Sequence, residues 1–126
     1  MLLRRTALTE IGGLDEGFFL YCEDTDLCKR LRDADWTTLF VPGATARHAE
    51  GSSAPRSDLL AIHARSRVRY AGKHLTPRAA RADRAAVALG AASHTVANIG
   101  RPPLARGHAR ALRATLVPQA PVEAGS

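Results

Sequence analysis

The pattern along the chain predicts two helices in the first third, one from its end signals and one from apolar residues at helical spacing. The first is expected over residues 6–11, where Thr6 can cap the start and the pair Gly12–Gly13 can take the left-handed conformation that ends a helix. The second is expected over residues 24–34, and its apolar positions recur every three or four residues at Leu27, Leu31 and Ala34. In this segment the acidic residues lie at the N-terminal end and the basic residues at the C-terminal end, an arrangement that interacts favourably with the helix dipole.

Two other apolar runs predict short strands. Leu2–Leu3 would form a buried strand with no preceding partner, a first sign that the sequence is part of a longer one. Residues 37–41 are β-branched and apolar, and Pro42–Gly43 closes the run. We expect the chain to stay extended to His48 and then to form a flexible loop over residues 50–55.

The second half of the chain predicts three helices. The first opens at Ser57–Asp58, and the second follows Thr76–Pro77 over about residues 78–92. A third is expected over residues 104–116 after a proline pair, and residues 117–126 predict a disordered tail. The apolar stripe of the first of these helices is Leu60, Ala64, Val68, Ala71 and Leu75.

Composition limits the size of the core and divides the chain in two. The 126 residues allow one modest domain, and 24 of the 57 hydrophobic residues are alanine, so the core is expected to be thin. The net charge is +6, but residues 1–53 carry −3 and residues 54–126 carry +9, and most aromatic residues lie in the acidic part. The basic part favours anionic partners such as nucleotides, acidic lipids or nucleic acid.

The two cysteines and the N-terminus bear on the compartment. Cys22 and Cys28 have no further cysteine to complete a zinc site, and the first residues lack the apolar core of a signal peptide. No apolar run has the length of about 20 residues that spans a bilayer. We expect free thiols in a cytoplasmic protein, which would meet a membrane only at its surface.

Candidate chemistry is concentrated in the acids that follow the aromatic run 18–22. At about 100° per residue, Glu23, Asp24 and Asp26 fan out around the start of a helix and do not converge as a pair. One of them can face a pocket walled by the aromatic run while the others cap backbone N–H groups, or all three are solvated capping residues. His48 is either a ligand for a metal or an anion, or an ordinary surface histidine.

A longer motif surrounds these acids. The string IGGLDEGFFLYCEDTDLCKRL at residues 11–31, followed by Val-Pro-Gly-Ala at 41–44 and by His48, resembles the C-terminal part of the family 2 glycosyltransferases, notably the rhamnosyltransferase and galactofuranosyltransferase-like branch. The resemblance implies an α/β fold, as the C-terminal fragment of a GT-A type domain. The implied segments are an acceptor-side part with the catalytic base over 1–55, a basic helical extension over 56–116 and a disordered tail over 117–126.

The resemblance also implies a function, which is inverting transfer from a nucleotide-diphosphate sugar to a hydroxyl of a cell-envelope glycan or lipid-linked acceptor. It places Asp24 as the general base at the mouth of an aromatic-walled cleft, and His48 as a ligand of a divalent metal, Mn²⁺ or Mg²⁺. The basic half of the chain is expected to form solvated helices that pack on the catalytic part through Ala and Leu, and the alternative is a basic face that rests on anionic lipid at the inner face of the plasma membrane. Four residues are expected to support the site or bind the acceptor: Tyr21, Glu23, Asp26 and Trp36.

The sequence departs from the family pattern in several places. Leu14 replaces the usual Phe, and Asp35 stands where Gly usually lets the chain turn, in a left-handed position less comfortable for Asp. The nucleotide-binding half and its Asp-rich metal motif have no counterpart before Met1, so we expect the isolated chain to be inactive. The alternatives are a noncatalytic remnant that binds another chain and a small basic helical module that binds a polyanion. Nucleic acid is not expected, because the aromatic residues lie away from the basic helices.

Overall fold

The computed structural model describes residues 1–47 and 55–117, and this part of the chain contains five α-helices. Each of the five was predicted, although the fourth continues past residue 92 to Ala97. The first begins at Arg5, so Thr6 lies inside it and does not cap it. The helices are α1 (Arg5–Glu10), α2 (Glu23–Asp33), α3 (Arg56–His74), α4 (Pro77–Ala97) and α5 (Pro102–Leu116).

The predicted strands are wrong, since the described residues contain helices, turns and extended segments but no strand. Leu2 is 99% exposed and Phe40 is 90% exposed, so neither apolar run is buried. A strand is held by hydrogen bonds to a neighbouring strand, and the described part of the chain offers neither run such a neighbour. The α/β expectation is therefore not met within this part of the chain, which is helical. His48, most of the predicted loop and residues 118–126 of the predicted tail lie outside the described residues.

Two Schellman motifs fix the ends of the first two helices. After α1, Gly12 and Gly13 have φ angles of 74° and 83°, and the Gly13 N–H donates to the Leu8 carbonyl over 2.9 Å. After α2, Asp35 takes the left-handed position with φ of 60°, and the Trp36 N–H donates to the Leu31 carbonyl over 2.9 Å. Both predicted left-handed turns are confirmed.

The first two helices share a small core. Ala7 of α1 packs with Leu27 and Leu31 of α2, all of them buried. Partly buried residues complete the cluster, and they are Leu8, Ile11 and Trp36. Because these contacts come from α1 and α2 together, they fix the direction in which α2 presents its first turn.

The last three helices pack as a bundle with a core of alanines. Ala64 of α3, Ala91 of α4 and Ala111 of α5 are buried together, which confirms the thin core. Small side chains let the helices approach closely. A Cβ atom added to Gly107 of α5 would lie 2.6 Å from the Ser57 carbonyl oxygen of α3. No helix in residues 1–47 and 55–117 is both long and apolar enough to cross a bilayer.

Candidate active site

The segment that leads into α2 is unusual in its backbone. Tyr21 and Cys22 both have left-handed φ angles, 69° and 64°, which cost about 1–2 kcal/mol for residues with a side chain. Contacts with α3 hold this turn in place. The Ser66 hydroxyl donates to the Leu20 carbonyl over 2.6 Å, and the Tyr21 ring packs edge-on against His63 with centroids 5.2 Å apart. The surrounding structure thus dictates where the first residues of α2 lie.

Asp24 lies in the first turn of α2 with an exposed side chain. Its Oδ1 accepts from the Thr25 N–H over 2.7 Å and from the Thr25 hydroxyl over 3.3 Å. No basic side chain among the described residues pairs with it. Asp24 is therefore an accessible carboxylate, oriented by its own helix and not neutralised by a described cation.

Asp26, two residues further on, is fully buried and faces α3. Its oxygens lie 2.8 Å from Arg30 Nε, 2.7 Å from Lys73 Nζ and 2.6 Å from His74 Nε2. Burial works to raise the pKa of Asp26, but the hydrogen bonds from Lys73, His74 and Arg30 outweigh it and leave the pKa below its usual value. Enclosed in this way, Asp26 does not reach a surface on which an acceptor could bind.

Asp15 belongs to the same ion cluster, which sequence reasoning missed. Its oxygens lie 2.7 Å from Lys73 Nζ and 3.1 Å from Arg69 Nη2, and Oδ1 accepts from the Gly17 N–H over 2.8 Å. Burial would raise the pKa of Asp15, but these partners, Lys73 first, lower it to about 2. Charge was the signal in the sequence that could have indicated this cluster. The first part of the chain is acidic, and basic residues that can pair with it recur every four residues on α3.

The remaining predicted site residues are spread along α2. Glu23 has one buried oxygen, Oε2, with no hydrogen-bond partner among the described residues. Trp36 lies at the other end of α2, roughly 15 Å from its start by the usual rise per residue. Its Nε1 donates to Glu10 over 3.0 Å, and Arg4 lies over its ring. Tyr21, Glu23 and Asp24 therefore lie near one another only as sequence neighbours at the start of α2, and Trp36 lies at the opposite end of the helix.

An open groove of about 700 Å³ lies beside α2. It is lined at one end by Thr25, the neighbour of Asp24, and at the other by Trp36, with Tyr70 of α3 on its wall. The expected cleft walled by the aromatic run 18–22 is not this groove, whose aromatic residues are Trp36 and Tyr70. Phe18 instead packs beneath the cations of Arg69 and Lys73, and Phe19 is 86% exposed.

The described residues do not fit a metal site by themselves. In residues 1–47 and 55–117 no three side chains of His, Cys, Asp or Glu converge as ligands. Cys22 and Cys28 are free thiols, and burial, with the nearby charges of Asp24 and Glu23, raises the pKa of Cys22. His48, the predicted ligand, lies outside the described residues.

Comparison with known proteins shows to which protein family the chain belongs. The sequence matches the family described as Glycosyltransferase like family 2 over residues 1–72, which covers α1, α2 and nearly all of α3. This match covers more than half of the chain. The chain therefore belongs to the family 2 glycosyltransferases, as its motif predicted, and it is rhamnosyltransferase-like. Helices α4 and α5 lie beyond the matched residues.

The curated relatives are rhamnosyltransferases. The chain is 39% identical over 77 residues to N-acetylglucosaminyl-diphospho-decaprenol L-rhamnosyltransferase of Mycobacterium tuberculosis (strains CDC 1551 / Oshkosh and ATCC 25618 / H37Rv), a match to 59% of this chain and 25% of the relative. It is 44% identical over 48 residues to Rhamnosyltransferase WbbL of Escherichia coli (strain K12), covering 38% of this chain and 18% of that protein. The chain thus spans about a quarter of the length of the curated relatives it matches. No solved structure matches it.

Proposed function

We propose that this chain forms the acceptor side of an inverting glycosyltransferase, with Asp24 as the general base. One observation carries the assignment: among the acids at positions 23, 24 and 26, Asp24 alone is an exposed carboxylate, while Asp26 is buried among cations. The family match includes this turn, and the donor is proposed to be a nucleotide-diphosphate sugar. Similarity to the named relatives favours rhamnose as the sugar and a lipid-linked glycan as the acceptor.

The chemistry asks for a carboxylate in this position. In an inverting transfer the acceptor hydroxyl attacks the anomeric carbon as the bond to the nucleoside diphosphate breaks on the opposite face, and the hydroxyl proton passes to the base. Thr25 holds Oδ1 of Asp24, so Oδ2 is the atom proposed to accept that proton. The groove from Thr25 to Trp36 is proposed to hold the acceptor glycan, with Trp36 and Tyr70 as its aromatic lining.

Donor binding is proposed to require residues outside this chain. The described residues supply neither a metal site nor a phosphate-binding loop after a strand, and the chain corresponds to a quarter of its relatives. His48 stays a predicted ligand of Mn²⁺ or Mg²⁺, and the proposed proton transfer to Asp24 does not depend on it. The GT-A type α/β fold is likewise proposed for the longer enzyme, in which the exposed runs at residues 2–3 and 37–41 would pair with further strands.

The base assignment is tested in a chimera that joins this chain to the preceding part of the M. tuberculosis relative. In the chimera, Asp24→Asn should lower the rate of rhamnosyl transfer by on the order of 10²–10⁴ and leave donor binding by calorimetry unchanged. The control is Asp33→Asn, which makes the same change of charge on an exposed residue of α2. Normal turnover by Asp24→Asn would contradict the assignment, and micromolar donor binding by the isolated chain would contradict the half-site proposal.

A further inference from the structure

Helix α4 turns an apolar face away from the bundle. Leu89 is 71% exposed, Val96 is 71% exposed and Ile99, just past the helix end, is 82% exposed. Leu89 and Val96 are seven residues apart, which places them on one side of the helix, and the exposed Ala82 lies seven residues before Leu89. The opposite side carries Ala91, which is buried in the bundle core.

The charges around this face are all of one sign. Arg78 and Arg81 are exposed at the start of α4, and Arg101 is exposed just after its end. The single acid of α4, Asp83, points away from the face, because it forms a bidentate pair with Arg67 of α3 at distances down to 2.7 Å. The outward face of α4 is therefore an apolar stripe with cationic ends and no carboxylate.

The candidate active site does not account for this face. Helix α4 begins at Pro77, beyond residues 1–72 of the family match, and none of its residues lines the groove beside α2. An exposed apolar stripe flanked by arginines is the pattern by which interfacial helices bind anionic membranes. No described helix crosses a bilayer, so contact through such a face would be peripheral.

We propose that the outward face of α4 docks onto an anionic lipid bilayer. Leu89, Val96 and Ile99 enter the boundary between headgroups and acyl chains, while the arginines at both ends of the stripe meet lipid phosphates. The proposal goes beyond the transfer reaction and does not depend on Asp24. It gives the basic second half of the chain a role in holding the enzyme at a membrane.

The test is sedimentation of the purified chain with vesicles of phosphatidylcholine, with and without phosphatidylglycerol. Three arginines near the surface, each contributing about 1 kcal/mol, predict binding to anionic vesicles on the order of 100-fold tighter than to neutral ones. The double variant Leu89→Glu with Val96→Glu should lose this binding and keep its helical circular dichroism spectrum, because both side chains are exposed.

A matched variant controls for the added negative charge. Leu39→Glu with Phe40→Glu changes two exposed apolar residues in the first part of the chain and should bind anionic vesicles as the parent does. Equal binding to neutral and anionic vesicles would overturn the proposal, as would equal loss in the two double variants. A dimer in analytical ultracentrifugation that dissociates only in the Leu89→Glu, Val96→Glu variant would assign the face to a second copy of the chain. Undiminished vesicle binding by that variant would also overturn the proposal, since charge alone would then suffice.

Discussion

Three acids within four residues at the start of α2 have different environments. Asp24 is exposed, Glu23 has one enclosed oxygen, and Asp26 is fully buried against α3. Helical geometry separates successive side chains by about 100°, so the sequence predicted that they fan out. It did not identify which acid would be buried, because the cations that surround Asp26 include Lys73 and His74, which lie far along the chain.

The left-handed backbone at Asp35 carries steric strain, and the sequence alone revealed this strain. It holds the left-handed position of a Schellman motif, where glycine has no steric penalty. Asp35→Gly should raise the free energy of unfolding by about 0.5–1 kcal/mol, the left-handed strain being partly offset by the greater freedom of glycine in the unfolded chain. Urea denaturation measures this change in the free energy of unfolding. Asp33→Gly, inside α2, should destabilise, and a loss of stability in Asp35→Gly would contradict the strain argument.

At the scale of helices, periodicity and packing carry different information. Local sequence pattern predicted all five helices, through apolar spacing for α2 and α3 and through end signals such as Gly12–Gly13 and Pro77 for α1, α4 and α5. It failed for the runs at residues 2–3 and 37–41, because a strand depends on a neighbour that sequence spacing does not supply. Where helices approach one another was also hidden. Nothing in the sequence marks Gly107 as the point at which α5 meets the start of α3.

That approach gives a prediction for two glycines. Gly107→Ala should lower the free energy of unfolding by about 1–3 kcal/mol, because the new Cβ would lie 2.6 Å from the Ser57 carbonyl oxygen and must push the helices apart. Gly90→Ala in α4 has open space and should instead stabilise by about 1 kcal/mol through helix propensity. Thermal and urea unfolding measure the change in stability of both variants. Equal changes would show that α5 and α3 are not closely packed at Gly107.

At the scale of the whole molecule, one lysine connects the acidic and basic parts of the chain. Lys73 of α3 lies 2.7 Å from both Asp15 and Asp26, and Arg69 adds a second contact to Asp15. Helix α3 thus belongs to the bundle and also supports the turn that presents Asp24. The opposite net charges of the two parts, visible in the sequence, are complementary across this contact.

Because of the ion cluster around Asp15 and Asp26, the stability of the fold decreases at acid pH. The pKa of Asp15 is about 2 in the folded chain, well below its usual value, and that of Asp26 is lowered too. Both carboxylates therefore stabilise the fold fully above about pH 4, and this contribution is lost as the pH falls towards 2, because the unfolded chain takes up protons first. The urea midpoint should fall across this window.

Asp15→Asn isolates the contribution of one carboxylate. It should cost about 2 kcal/mol at neutral pH and flatten the acid dependence, since a pKa difference of one unit corresponds to about 1.4 kcal/mol. Asp58→Asn, which removes an exposed pair with Arg110, should change stability by less than about 1 kcal/mol. An unchanged acid profile in Asp15→Asn would show that the cluster does not govern stability.

The amino-acid sequence by itself determined the helices, the left-handed turns after α1 and α2, the division of charge and the family motif. These features depend on residues within a few positions of one another, or on a string of letters that can be compared directly. The tertiary structure alone decided that Asp26 is buried and Asp24 accessible, that Lys73 joins Asp15 to Asp26, and that α4 turns its apolar stripe outward. Each of those outcomes depends on which residues remote in the chain become neighbours, and local patterns of polarity do not specify such pairings.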